Sequence, residues 1–121
     1  MGNNINIYSS ILTSIKKLLG IAEEYSAFDT DIIIHINSAF STLKQLGVGP
    51  EEGFKISDDL DSWSDFIEDD ESIESIKTYI YLKVKLVFDP PSNSSHMQAI
   101  KDSIKELEWR LNVECDNKED K

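Results

Sequence analysis

Residues 76–93, IKTYIYLKVKLVFDPPSN, constrain the fold more than any other stretch, because their apolar residues fit two different elements. From Tyr79 to Phe88 the aliphatic side chains occupy one parity, and a two-residue period is typical of a half-buried strand. The same letters also form a helical stripe that starts near Ser72. The members of this stripe are Ile73, Ile76, Ile80, Val84, Val87 and Phe88. The fold class depends on which period the chain follows.

The surroundings of this segment favour a helix. Acidic residues at 69–71 and at Glu74 precede it, where negative charge stabilises a helix N-terminus. Helices are predicted on both sides, so a single strand has nothing to pair with. Pro90 and Pro91 then end the run. We predict one long helix over residues 72–88, with a β-strand as the alternative.

The predicted helix has an unusually wide apolar face. Tyr79, Leu82 and Leu86 extend the stripe to about half the circumference. A small bundle covers less than this from one side, so we expect neighbouring copies of the chain to cover the remainder.

Three more segments show helical periodicity. The first covers about residues 6–19, with Gly20 as its C-terminal cap. The second has Asp29 or Thr30 as its predicted N-terminal cap and ends at Gly47. The last has Ser94 or Ser95 as its predicted cap and extends to about residue 113. Residues 1–113 are thus predicted to form a single helical domain, and residues 114–121 a disordered charged tail.

The segment between the second and third helices has little pattern. It contains GFKIS, which suits a short extended piece, and DSWSDFIED, which suits one or two helical turns with Asp61 or Ser62 as cap and with Trp63, Phe66 and Ile67 turned inward. Exposure of the Trp–Phe pair in this acidic loop would instead indicate a partner contact. The predicted fold is therefore mainly α: a small bundle of four principal helices with a long acidic loop that carries these two pieces.

The negative charge is concentrated in this loop. The formal net charge is −11, and residues 51–74 hold eleven acidic residues against one base, Lys55. Such a block repels nucleic acid, and its plainest interpretation is a solvated loop. The single cysteine, the polar N-terminus and the lack of an apolar run of about 20 residues predict a soluble, cytosolic protein without a membrane segment.

No motif for catalysis, a metal or a cofactor emerges. His35 and His96 lie in separate elements, and the sequence contains neither a nucleophile elbow nor a phosphate-binding loop. We therefore predict no enzyme activity and look for assembly surfaces, where large aromatic and apolar side chains contribute most. The predicted interface residues are Trp63, Phe66, Tyr79, Tyr81, Leu82, Leu86 and Trp109.

The chain resembles the head–tail connector proteins of tailed phages and prophages in four segments. In chain order these are FDTDIIIHINSAFSTLKQLGVGPEEGFKIS, WSDFIED, IKTYIYLKVKLVFDPPSN and IKELEWRLN. These are also called adaptor or head-completion proteins. The likeness extends from about Leu12 to Asn112 and includes no catalytic motif.

The resemblance implies a structural subunit of the virion neck, assembled in the host bacterial cytoplasm. It implies a cyclic ring, expected to be a dodecamer, that lies below the portal protein, extends the DNA channel and docks the next neck or tail protein. DNA would pass through without specific binding. Acidic side chains are candidates to line the channel, namely Asp58, Asp59, Asp61, Asp65, Asp69 and Asp70. The alternative is a small acidic phage inhibitor that mimics DNA and binds a basic nuclease.

Overall fold

The computed structural model describes residues 7–67 and 70–119, without the side chains of residues 70, 71 and 115–119. Within these described residues, five helices follow one another: α1 (Ile11–Leu19), α2 (Asp29–Gln45), α3 (Trp63–Phe66), α4 (Asp70–Phe88) and α5 (Ser94–Glu119). The described residues contain no strand beyond one isolated bridge between Ser10 and Ser62. The predicted mainly α class is confirmed.

Helix α4 lies at the centre of the bundle and contacts α1, α2 and α5. Its stripe of Ile73, Ile76, Tyr79, Ile80 and Val84 is fully buried. The helical interpretation of the alternating segment is confirmed, and the strand alternative is wrong. The two-residue pattern arises because neighbours surround this helix on several sides, so that side chains off the main stripe are also apolar.

The same packing corrects the expectation that α4 leaves a wide apolar face uncovered. Tyr81, Leu82 and Leu86 are partly buried against the core of their own chain, and only Val87 of this helix is a largely exposed hydrophobic residue, at 58%. Three helices rather than one side of a bundle supply the cover, so other copies of the chain are not needed to bury α4.

Helix α1 begins at Ile11, later than predicted, because the preceding residues pair with another part of the chain. The Ser64 amide donates to the Ile7 carbonyl at 2.7 Å, and the Ile11 amide donates to the Asp61 carbonyl at 2.9 Å. Ser10 then caps the helix, since its hydroxyl accepts from the Thr13 amide. Residue 6, the predicted start, lies outside the described residues. The predicted cap at Gly20 is confirmed by its left-handed backbone, with φ of 81°.

Helix α2 is held at its start by a buried lysine rather than by a capping side chain. Phe28 is the N-cap and makes no side-chain capping bond, so the prediction of Asp29 or Thr30 as the cap is wrong. Lys16 donates to the carbonyls of Glu23 and Tyr25 at 2.9 and 2.8 Å. Its ammonium also lies 2.8 Å from a carboxylate oxygen of Asp29, as an ion pair without the geometry of a hydrogen bond. Lys16 thus fixes the connection between α1 and α2.

A side chain of α2 forms hydrogen bonds with the backbone of the acidic loop. Asn37 accepts from the Ile56 amide at 2.7 Å and donates to the Ile56 carbonyl at 3.0 Å. The predicted helical turn is α3, where the Asp65 carboxylate accepts from the Ser62 amide at 2.9 Å. These bonds turn the loop inward and place α3 against the core.

Helix α5 is capped by Asn93, whose side chain accepts from the Ser95 and His96 amides, so the predicted cap at Ser94 or Ser95 is wrong. The helix continues beyond the predicted end near Val113. Its backbone remains helical to Glu119, whereas sequence analysis assigned residues 114–121 to a disordered tail. No glycine or proline interrupts the segment ECDNKE, so no local signal ends the helix. The Asn112 side chain also ties α5 to the end of α2 by donating to the Leu46 carbonyl.

Candidate assembly interface

Three of the predicted interface residues lie in the core and are not part of the surface. Trp63 and Tyr79 are fully buried, and Phe66 is 5% exposed. Trp63 donates its indole N–H to the Ser14 hydroxyl at 3.2 Å, which joins α3 to α1. The α3 turn directs Trp63 and Phe66 inward, as a helical turn predicts, and not toward a partner.

The Phe66 ring belongs to an aromatic cluster beneath the loop. It lies 4.7 Å from the ring of Phe40 and 5.3 Å from the ring of Phe54, centroid to centroid. The cluster anchors the acidic loop on α2, so the loop is a folded element of the domain.

Tyr79 makes a buried polar contact between α4 and α5. Its hydroxyl donates to a carboxylate oxygen of Glu108 at 2.8 Å. Burial, and then the hydrogen bond and negative charge of Glu108, raise the pKa of Tyr79 well above its ordinary value of 10.0. The phenol therefore stays protonated and serves as a fixed donor.

The other four predicted residues reach the surface to different extents. Trp109 on α5 is 67% exposed, whereas Tyr81, Leu82 and Leu86 on α4 are half-buried. Exposed tryptophan is a frequent anchor of protein interfaces. The assignment of these four side chains to an interface stays a prediction.

Sequence analysis missed most of the exposed apolar surface. The large hydrophobic side chains concerned are Tyr8, Leu18, Tyr25, Phe28, Ile34, Leu60 and Val87. Three consecutive isoleucines in DIIIH were a usable signal, because one helix face cannot bury all three. Ile32 is buried, Ile33 is partly buried and Ile34 is 58% exposed.

Three aromatic rings that are at least partly exposed lie together where the connection between α1 and α2 meets the end of α4. The Phe28 ring lies 5.6 Å from the Tyr25 ring and 5.4 Å from the Phe88 ring, both edge-on. Lys16 holds the carbonyl of Tyr25, so this aromatic corner is ordered by the fold.

The acidic residues predicted to line a channel have several local roles. Asp61 accepts from the Ser57 and Asp58 amides, and Asp65 caps α3. Asp58 and Asp59 are exposed. Asp69 and the side chain of Asp70 lie outside the described residues. Whether these carboxylates face a channel stays a prediction.

The part of the chain that the structure describes offers no metal-binding group of three or more His, Cys, Asp or Glu side chains. None of its helices has the length and apolar character required to cross a bilayer. A cleft of about 340 Å³ lies beside the Gly47–Pro50 turn, with Phe66 and Leu111 in its lining. It brings together no constellation of reactive side chains.

Comparison with known proteins identifies a family for this chain. No curated protein and no solved structure gives a significant match. The sequence does match the family described as phage connector protein over residues 11–118, which includes all five helices almost to the end of α5. This chain is therefore a member of the phage connector protein family, a structural family of phage head–tail connectors.

Proposed function

We propose that the protein is a ring-forming adaptor of the virion neck. Identical subunits assemble below the portal protein, extend the channel through which DNA passes, and dock the next neck or tail protein. The observation that carries the proposal is the family match across nearly the whole domain, residues 11–118. The ring, the portal and the tail-side partner are parts of the proposal.

The surface of the domain suits this role. A closed ring needs contacts between different faces of the same subunit. Exposed large side chains lie at several separate places, including Leu18 on α1, Leu60 in the acidic loop, and Trp109 on α5. A subunit with one exposed apolar patch would favour a simple pair instead.

The acidic charge is compatible with a channel wall that does not bind DNA tightly. The chain carries −11 overall, and a surface of this sign repels phosphate groups. The alternative of a DNA mimic gains no support from the loop, because Asp61 and Asp65 are engaged in its own turns.

Deletion of the gene from its phage or prophage tests the proposal in assembly. We expect normal heads and normal tails that fail to join, visible by electron microscopy, and infectious particles after the protein is supplied from a plasmid. Formation of complete, infectious virions without the protein would contradict the proposed function. Supplying a variant with the exposed pair Lys101 and Lys105 changed to glutamine controls for the effect of surface substitutions.

A further inference from the structure

A cleft of about 240 Å³ between α1 and α4 has a positive lining on an acidic protein. Lys17 and Leu18 of α1 and Lys77 of α4 line it, together with the hydroxyl side chains of Ser10 and Thr13. Its described lining includes no carboxylate, although the chain as a whole carries −11. A local charge opposite to the rest of the surface favours an acidic partner.

The acidic loop of this chain presents a matching projection. Asp58, Asp59 and Leu60 form its tip, and Leu60 is the most exposed large hydrophobic residue described, at 82%. The tip combines one protruding apolar side chain with carboxylates directly beside it. We call residues 58–60 the loop tip.

The loop tip is held in shape by its own hydrogen bonds. Asp58 accepts from the Leu60 amide at 2.9 Å, while the Asp61 carboxylate accepts from the Ser57 amide at 2.7 Å and the Asp58 amide at 3.3 Å. A segment that is ordered before binding loses less conformational entropy when it docks.

Cleft and loop tip are complementary in both apolar and charged groups. If the loop tip of another molecule entered the cleft, Leu18, which is 45% exposed, would contact Leu60, and Lys17 and Lys77 would face the carboxylates. Nucleic acid is the other anionic candidate, but the net charge opposes its approach and a phosphate backbone would leave Leu18 uncovered. A protein segment that carries both carboxylates and a leucine fits better.

The loop tip does not fill the cleft of its own chain. None of residues 57–61 belongs to the cleft lining. The loop meets α1 at its beginning, where the Asp61 carbonyl accepts from Ile11, whereas Lys17 and Leu18 lie at the end of the helix. The loop tip of one subunit can therefore occupy such a cleft on a second molecule.

We propose that the loop tip of one subunit docks into the α1–α4 cleft of a second copy. The proposal rests on the proposed ring, because the contact joins two different surfaces and can repeat around a closed assembly. It assigns the subunit contact to Lys17, Leu18 and Lys77 on one side and to Asp58, Asp59 and Leu60 on the other.

Charge reversal tests this pairing directly. One variant carries Lys17→Glu and Lys77→Glu in the cleft, and the other carries Asp59→Lys in the loop tip. Each variant alone places like charges opposite each other, so we expect the concentration needed for half-assembly to rise at least about tenfold. When the two variants are mixed and alternate in the assembly, the reversed cleft of one meets the reversed loop tip of the other, and the unaltered cleft meets the unaltered loop tip. The mixture should therefore assemble again.

Matched controls separate this contact from net charge. Lys101→Glu with Lys105→Glu changes the charge as much as the cleft variant does, but on exposed positions of α5. Glu52→Lys changes the charge as much as the loop-tip variant does, but outside the loop tip. Mass photometry, with and without the portal protein, should show both controls assembling like the unaltered chain, and circular dichroism should show all variants folded.

Several outcomes would overturn the proposal. Normal assembly of the two reversed variants would leave the ring intact but place its contact elsewhere, as would a folded mixture that fails to recover. Loss of binding to DNA by the cleft variant, with normal assembly, would identify a phosphate site instead. An unaltered chain that never self-associates, alone or with the portal, would remove both this contact and the proposed ring.

Discussion

At the residue scale, two adjacent lysines show how much depends on packing. Lys16 is 2% exposed and makes three polar contacts, whereas its neighbour Lys17 is exposed. A buried ammonium is tolerated only where oxygen atoms surround it. The two carbonyls and the Asp29 carboxylate provide these atoms and fix the connection from α1 to α2.

Replacement of Lys16 by methionine keeps the aliphatic stem and removes all three polar contacts. We expect the free energy of unfolding to fall by about 2–3 kcal/mol, since the bonds to a charged donor are lost and buried acceptors are left without it. Urea unfolding measures the difference. Lys17→Met is the control and should change stability by less than about 0.5 kcal/mol. Equal effects of the two substitutions would show that Lys16 does not hold the connection.

Tyr79 predicts a dependence of stability on alkaline pH. Its pKa is raised in the folded chain, so above pH 10.0 the unfolded chain releases a proton that the folded chain retains. The free energy of unfolding should therefore fall as the pH rises, by about 1.4 kcal/mol per pH unit from this group.

Urea unfolding between about pH 9 and pH 11 checks this slope. Tyr79→Phe should lose this component of it. Glu108→Gln lowers the pKa of Tyr79 in the folded chain, so the fall in stability should still begin near pH 10.0 but should level off at a lower pH than in the unaltered protein. The same slope in Tyr79→Phe as in the unaltered protein would assign the alkaline destabilisation to other groups.

At the element scale, helix α4 was predictable from local signals, whereas the start of helix α1 was not. The proline stop and the acidic start are local signals, so residues 72–88 could be assigned as a helix from sequence. The start of α1 depends on backbone pairing with residues 61–64, and no property of residues 6–10 announces that contact.

The orientation of Trp63 and Phe66 was left open by the sequence. A helical turn predicted that both point inward, whereas the same pair exposed in an acidic loop indicated a partner contact. In the structure the cap formed by Ser62 and Asp65 and the rings of Phe40 and Phe54 direct them into the core. Phe40 lies on α2 and Phe54 lies in the loop, so the positions of both partner rings depend on the complete fold. The exposed candidates of the assembly surface, such as Leu60 and Val87, became identifiable only when burial was known.

The loop that follows α2 makes a prediction about close packing. Gly49 has a φ of 91°, and a Cβ atom there would overlap the ring of Phe66. Gly20, at the end of α1, has a similar φ of 81° but open space around it. Gly20→Ala should therefore cost about 1 kcal/mol from backbone strain alone, and Gly49→Ala at least about 3 kcal/mol.

Thermal and urea unfolding of these two glycine variants separates backbone strain from steric overlap. The Gly49 variant should also change the near-ultraviolet circular dichroism signal, because the aromatic cluster of Phe40, Phe54 and Phe66 is displaced. Equal losses of stability in the two variants would contradict the packing of Phe66 against this turn.

At the scale of the whole molecule, the bundle satisfies its own core and leaves separate apolar side chains at its surface. Helix α4 is covered by α1, α2 and α5, so assembly is not required to bury it. The case for a ring therefore depends on family membership and on surface features such as the positive cleft and the loop tip. The sequence instead predicted that an uncovered apolar face of α4 would form the contact between subunits.

The mass of the purified protein, alone and mixed with its portal, tests the proposed neck subunit most directly. Mass photometry at several protein concentrations should reveal a closed oligomer of fixed subunit number, formed by the chain itself or on the portal. A species that stays monomeric at every concentration and adds no mass to the portal would contradict the account.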